Sequence, residues 1–229
     1  MPSLSAAFPT IARTSAAAGR AVPPPGPSRF EALIAFAASG SLASGRGDRL
    51  ASALDEAGLL DPEALATSPL AEVVDALRDA RVEANPKAVR LLQRVADWYR
   101  GRRDELEREP APGDDPPSTY ADELAAINGV GRATADAIAL HVFGAATYPV
   151  DRATYRILVR HGWIDPTVDY DEASHLLIEA AERDPGALAA ASRVLSDVGR
   201  RFCKPSGPRC EPCPLKVVLP EGGPIPADG

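Results

Sequence analysis

Two groups of side chains in this 229-residue chain have the types and spacing that chemistry needs. The first is Cys203, Cys210 and Cys213, spaced C-x6-C-x2-C within eleven residues. An odd count so crowded in sequence cannot make a disulfide framework, so it reads as a metal or cluster site in a chain kept away from oxidising compartments. The second is Asp151, which follows Pro149-Val150 and precedes the helical run Arg152-Ala-Thr-Tyr. An aspartate there caps a helix, and a capped carboxylate is rigid enough to orient a water or to stabilise a developing cation.

The elements that must position Asp151 begin about thirty residues upstream. Ile127-Asn128-Gly129-Val130-Gly131-Arg132 lies between two apolar runs of helical period, one with Leu124 and Ile127, the other with Ala135, Ile138, Ala139 and Val142. Two glycines around one apolar residue make a turn whose backbone can press on another surface and still open a helix with free N–H groups. With the positive end of the helix dipole, those amides suit one phosphate. Val130 is expected to point inward and lock the two helices. This is a helix-hairpin-helix, which grips nucleic-acid backbone without reading bases. The bland alternative is a tight helix connection and nothing more.

From Gly144 to Asp151, and through the hairpin before it, the chain resembles the helix-hairpin-helix-GPD superfamily of DNA glycosylases, the relatives of endonuclease III. The resemblance extends over about residues 28 to 216 and is strongest at 122–163 and 198–215. It implies that Gly129, Val130, Gly131, Arg132, Ala133 and Thr134 meet DNA, and that Asp151 is the catalytic carboxylate. As a base leaves, positive charge grows on the sugar, and a carboxylate beside it stabilises that charge and assists the incoming water. Bifunctional members carry a nucleophilic lysine in the hairpin, where this chain reads Gly129-Val130-Gly131-Arg132-Ala133-Thr134-Ala135. Alanine has no amine, so the implied activity is monofunctional, releasing a base with little strand cleavage. Phe36 stands about where adenine-specific members carry a glutamate, and the strings around Thr134 and Arg156 lean toward alkylated purines as substrate. Ser41 stands about where the family's gap-filling glutamine is expected, with Leu42 the other candidate wedge. For base-pocket walls, Phe30, Tyr148 and Trp163 are the aromatic candidates.

The cysteine run resembles the family's iron–sulfur loop, whose fourth cysteine would fall at Leu219. A [4Fe–4S] cluster normally takes four thiolates. Three readings follow: a loop that keeps its shape without a cluster, a cluster with a fourth ligand other than cysteine, or zinc completed by His141, His161 or His175. Between residues 196 and 216, Arg200, Arg201, Lys204, Arg209 and Lys216 face only Asp197 and Glu211. That basic patch suits phosphate, with Lys204 and Arg209 as its DNA contacts. The rival function is a non-catalytic helix-hairpin-helix DNA-binding protein, and a remoter one is a metal-sensing or redox module.

The rest of the chain sets bounds. A net charge of −7 excludes indiscriminate adhesion to nucleic acid, so any DNA surface must be local. No apolar run approaches the roughly 18 residues of a membrane span. Lys87, Lys204 and Lys216 are the only lysines, which leaves no obvious substitute nucleophile near the hairpin. No stretch alternates as a strand, so the expected fold is all-α, with two helical lobes and the hairpin barrel inserted in an N-/C-terminal helical domain carrying the cysteine loop. The expected division is a disordered tail over 1–27, a lobe from 28–47 and 152–216, a barrel over 48–151 and a loose tail over 217–229. Proline-rich, acid-free residues 1–29 also fit an organelle-targeting segment or a basic arm. Glu107 to Ser118 reads as a linker. The expected protein is a cytoplasmic, nucleoid-associated monomer whose partner is double-stranded DNA with a damaged base.

Overall fold

The computed structural model describes residues 3–17, 28–39, 46–83, 85–108 and 119–226. In chain order the helices are α1 (Leu4–Ala17), α2 (Arg29–Ser39), α3 (Arg46–Glu56), α4 (Pro62–Thr67), α5 (Leu70–Asp79), α6 (Pro86–Arg100), α7 (Arg103–Leu106), α8 (Thr119–Ala126), α9 (Arg132–His141), α10 (Arg152–Arg160), α11 (Tyr170–Ala180) and α12 (Pro185–Arg201). Among the described residues there is no strand, and no helix long and apolar enough to cross a membrane. The chain forms two compact units. One is Pro25–Ala145, and it is inserted in sequence between the two pieces of the other, Met1–Pro24 and Ala146–Gly229.

The boundaries differ from those expected. Residues 28–47 were assigned to the lobe that carries the cysteine loop, whereas α2 packs on α3, α6 and α9 of the inserted unit. Phe30, Leu33, Ile34 and Ala37 give α2 an apolar face, and that face is buried among Leu50, Leu54, Val95 and Tyr99. Within the tail expected over 1–27, residues Leu4–Ala17 form α1 instead. Leu4, Ala7, Phe8 and Ile11 recur at helical spacing, all four are buried, and α1 packs against α11 and α12. Burial of that stripe outweighs the Ser/Ala/Pro composition and the proline inside the helix, Pro9.

Helix starts follow local chemistry. Asn85 Oδ1 accepts the Ala88 amide at 2.9 Å, with Pro86 at the first helical position of α6. Asp61 does the same for α4, accepting from Glu63 and Ala64 with Pro62 behind it. The Ser68 amide closes α4 on the Ala64 carbonyl, and Pro69 opens α5 without a side-chain cap. The glycine-rich loop with Ser41 and Leu42, and the linker at 109–118, lie outside the described residues.

The end of the chain is less loose than its composition suggests. Val218 is buried in a 3-10 turn over Lys216–Val218, and the Ile225 amide donates to the Arg160 carbonyl at 2.9 Å. Residues 217–226 are thereby fastened to α10, and residues 227–229 lie outside the described part.

Candidate functional site

The hairpin is the pair α8–α9 in the inserted unit. Gly129 has φ +101°, which a side-chain-bearing residue rarely adopts, and a Cβ there would stand 3.4 Å from Leu91 Cδ1 and 3.6 Å from Arg94 Nη2 on α6. Val130 is buried in the same core as Leu124, Ala135 and Ile138, as its spacing predicted. The Gly131 carbonyl takes the Thr134 and Ala135 amides at 2.9 and 3.0 Å, so α9 starts here and its first amides have no intrahelical acceptor. Gly131 itself is exposed with φ −77°, and a Cβ added to it would meet nothing within 4 Å. Neither backbone strain nor packing inside the protein demands glycine at that position. What glycine does provide is an unscreened approach to those amides from outside.

Arg132 is not a free cation. Its guanidinium donates to Asp122 at 2.7 Å and to the buried Asp136 at 3.2 Å, tying α8 to α9. Ala133 and Thr134 are half-buried behind it. A different arginine attends the turn: Arg94 Nη2 donates to the Asn128 carbonyl at 2.6 Å. This contact joins residues 34 apart in sequence, so no local signal announces it.

Asp151 lies in the other unit as the N-cap of α10, with extended backbone. One carboxylate oxygen, Oδ1, accepts the Thr154 amide at 2.6 Å, and the side chain is half-buried. The second oxygen has no protein partner among the described residues. The segment before it is pinned from α11: Ser174 Oγ donates to the Tyr148 carbonyl at 2.9 Å, and the Val150 amide donates to the Tyr170 hydroxyl at 3.3 Å. Burial pushes the Tyr148 phenol well up, the Asp151 charge adds to that, and the Thr154 hydroxyl opposes it. Of the aromatic candidates for stacking on a base, Phe30 and Tyr148 are fully occupied inside their own units, at 3% and 0% exposure. Trp163 is half-buried and stacks on His161, with ring centroids 4.4 Å apart.

The cysteine loop follows α12 in the same unit as Asp151. Cys203, Cys210 and Cys213 line one small cavity together with Arg160, His161, Leu215 and Leu219. The buried Arg160 holds the loop, donating to the Lys204 carbonyl at 2.6 Å, the Pro205 carbonyl at 2.8 Å and Cys203 Sγ at 3.4 Å. Arg156 adds a bond to the Cys203 carbonyl at 2.9 Å. Burial, reinforced by the neighbouring cysteines, pushes the Cys210 and Cys213 thiols up. Of the three histidines, His161 reaches this cavity; His141 stacks on Phe36 in the inserted unit and His175 is exposed. His161 Nδ1 faces the Val218 carbonyl at 3.3 Å, and burial pushes its pKa down. Three sulfur donors line one cavity, and Leu219 supplies no donor where the family's fourth cysteine would fall. Among the described residues no three Cys, His, Asp or Glu side chains are grouped closely enough to hold a metal ion.

The structure also sorts the basic patch. Arg200 and Arg201 are paired with Asp197, and Lys216 with Glu211. Lys204 and Arg209 are exposed and have no carboxylate partner among the described residues, Lys204 donating instead to the Arg200 carbonyl.

No family model matches the chain. Its fold is that of endonuclease III: a trapped endonuclease III–DNA covalent intermediate superposes with a TM-score of 0.68 at 23% identity, covering 94% of this chain and 93% of that one. A thermostable thymine-DNA glycosylase superposes with a TM-score of 0.65 at 16% identity, covering 92% of each chain. In sequence, the chain is 31% identical over 94 residues to a putative DNA repair glycosylase of Methanocaldococcus jannaschii, covering 41% of this chain and 42% of that protein. It is 36% identical over 95 residues to the endonuclease III of Thermotoga maritima, covering 42% and 43%. The matched segment thus spans less than half the length of either relative. Fold and sequence matches agree: the chain has the endonuclease III fold, and over less than half its length it is similar in sequence to a putative DNA repair glycosylase and to endonuclease III.

Proposed function

We propose that this chain is a monofunctional DNA glycosylase of base excision repair, hydrolysing the N-glycosidic bond of a damaged base in duplex DNA. The observation that carries the reading is Asp151: a carboxylate fixed through one oxygen as a helix cap, with no partner for its second oxygen among the described residues. A carboxylate so held faces the sugar without reorganising, stabilises the positive charge that grows as the base departs, and accepts a proton from the attacking water. Names of relatives point the same way, since a putative DNA repair glycosylase and endonuclease III are among the proteins this chain resembles.

The open amides at Gly131, Arg132 and Ala133 would hold one phosphate of the damaged strand, with Thr134 beside them. Lys204 and Arg209, exposed cations of the cysteine loop with no carboxylate partner among the described residues, would meet the backbone elsewhere. Alanine at 133 denies the site an amine, so the sugar is attacked by water and an abasic site is left, with AP lyase activity weak or absent. An alkylated purine is the favoured lesion, because its departure needs less help than that of an intact base. Cys203, Cys210 and Cys213 would be the three thiolate ligands of a [4Fe–4S] cluster, which when bound cross-links a loop of little regular structure. The protein acts as a monomer on DNA in the cytoplasm, associated with the nucleoid.

The test is incubation of the purified protein with duplexes carrying single alkylated purines, uracil mismatches or oxidised bases, each read with and without hot alkali. Strand breaks that appear only after alkali, and most with alkylated purines, are the expected result. Breaks without alkali would overturn the monofunctional reading. Intact DNA binding with no cleavage anywhere would favour the non-catalytic DNA-binding alternative.

A further inference from the structure

The hairpin's own arginine is engaged by two carboxylates, so the cation that serves the turn must come from elsewhere. Arg94 of α6 stands there, its guanidinium on the Asn128 carbonyl and within 3.6 Å of the point where a Gly129 Cβ would lie. Seven residues back along the same helix face come Lys87 and, between them, Arg90. At 87, 90 and 94 the spacing is that of one stripe on a helix. All three side chains are exposed, and none has an ion-pair partner among the described residues. The acid nearest this stripe on α6, Asp97, is held by Arg100 at 2.6 Å, and Glu123 of α8 is held by Arg102 and the Trp98 indole. In a chain of net charge −7, three uncompensated cations in a row beside the hairpin are a local departure from the average.

We propose that Lys87, Arg90 and Arg94 form a phosphate track that extends the hairpin's grip along one DNA strand. The stripe runs roughly 10 Å along the helix axis, which matches the rise over about three nucleotide steps of one strand. Arg94 is the hinge of this arrangement, because it fixes the turn through Asn128 and leaves the rest of its fork for a phosphate oxygen. The track contacts backbone only, so it strengthens damaged and undamaged duplex alike and adds no base preference. This inference rests on the DNA-binding reading of the hairpin.

Affinity for an undamaged duplex and for the same duplex with an abasic site would be measured by fluorescence anisotropy over a salt series. The variants are Arg90→Gln alone, Lys87→Gln/Arg90→Gln/Arg94→Gln together, and Arg78→Gln as a control on α5, where the guanidinium is already paired with Asp75. Arg90 has no ion-pair or side-chain hydrogen-bond partner among the described residues, so its variant tests the track independently of folding. Each lost contact should lower the slope of log K against log salt by about 0.9, with equal weakening for both duplexes, while Arg78→Gln leaves the slope unchanged. A wild-type slope in both Arg90→Gln and the triple variant would overturn this inference alone. Failure of the unmodified protein to bind either duplex would overturn the hairpin reading, and the track with it.

Discussion

Gly199 of α12 and Ala153 of α10 are in contact through the place where a side chain at 199 would be: a Cβ added there would overlap the Ala153 Cβ. That contact sets how closely α10, with Asp151 at its N-cap, lies on the helix that leads into the cysteine loop. Gly199→Ala must push the two helices apart. It is expected to destabilise by about 1–3 kcal/mol, the usual scale of overpacking, despite alanine's better helix propensity. Thermal unfolding of Gly199→Ala, Ala153→Gly and the double variant checks this: the double variant should recover most of the loss, and additive losses would show that the contact is not the cause.

Tyr120 carries a pH prediction. Its hydroxyl donates to Glu105 Oε1 at 2.7 Å, its ring packs on Trp98 and Phe143, and burial, then that bond to Glu105, raises its pKa to about 12. The unfolded phenol ionises near its ordinary value of about 10. The contribution of Tyr120 is therefore complete below pH 10 and is lost as pH rises from 10 to 12. Tyr120→Phe keeps the ring and removes the ionisation, so its stability should fall less steeply than that of the wild type across this interval. Denaturant midpoints at pH 9, 10 and 11 measure the difference.

Ala133 offers a gain-of-function test. It sits half-buried at the first turn of α9, beside the exposed and uncrowded Gly131. Ala133→Lys supplies the amine that the hairpin lacks, and an amine near the sugar can form a Schiff base. The variant should nick a lesion-bearing strand without alkali and should be trapped on DNA by borohydride. Wild type treated in the same way should leave no adduct; an adduct with wild type would show that another nucleophile operates.

Much of the local architecture was legible because its signals are local. Asp151 as a cap, Val130 as an inward residue and the glycine turn follow from residue types within four or five positions. What was not legible depends on distant partners. Arg132 looked like a free phosphate contact because the buried state of Asp136 is a tertiary fact. The bond from Arg94 to the hairpin turn was hidden because its acceptor, the Asn128 carbonyl, lies 34 residues away in sequence. The α1 helix was hidden by composition: Ser, Ala and Pro dominate the segment, and the stripe Leu4, Ala7, Phe8, Ile11 gains its meaning only against α11 and α12. The spacing of the cysteines was clear, while the hold of Arg160 on their loop was not.

The most direct test of the account is Asp151→Asn under single-turnover conditions, on the lesion that the wild type releases fastest. Asparagine caps a helix about as well as aspartate, so fold and duplex affinity should be retained. It cannot take a proton or carry the negative charge that the departing base calls for. Base release should fall by roughly 100-fold or more, the scale of a lost general base, with unchanged thermal stability and DNA binding. Release at the wild-type rate by a folded, DNA-binding Asp151→Asn protein would contradict the account.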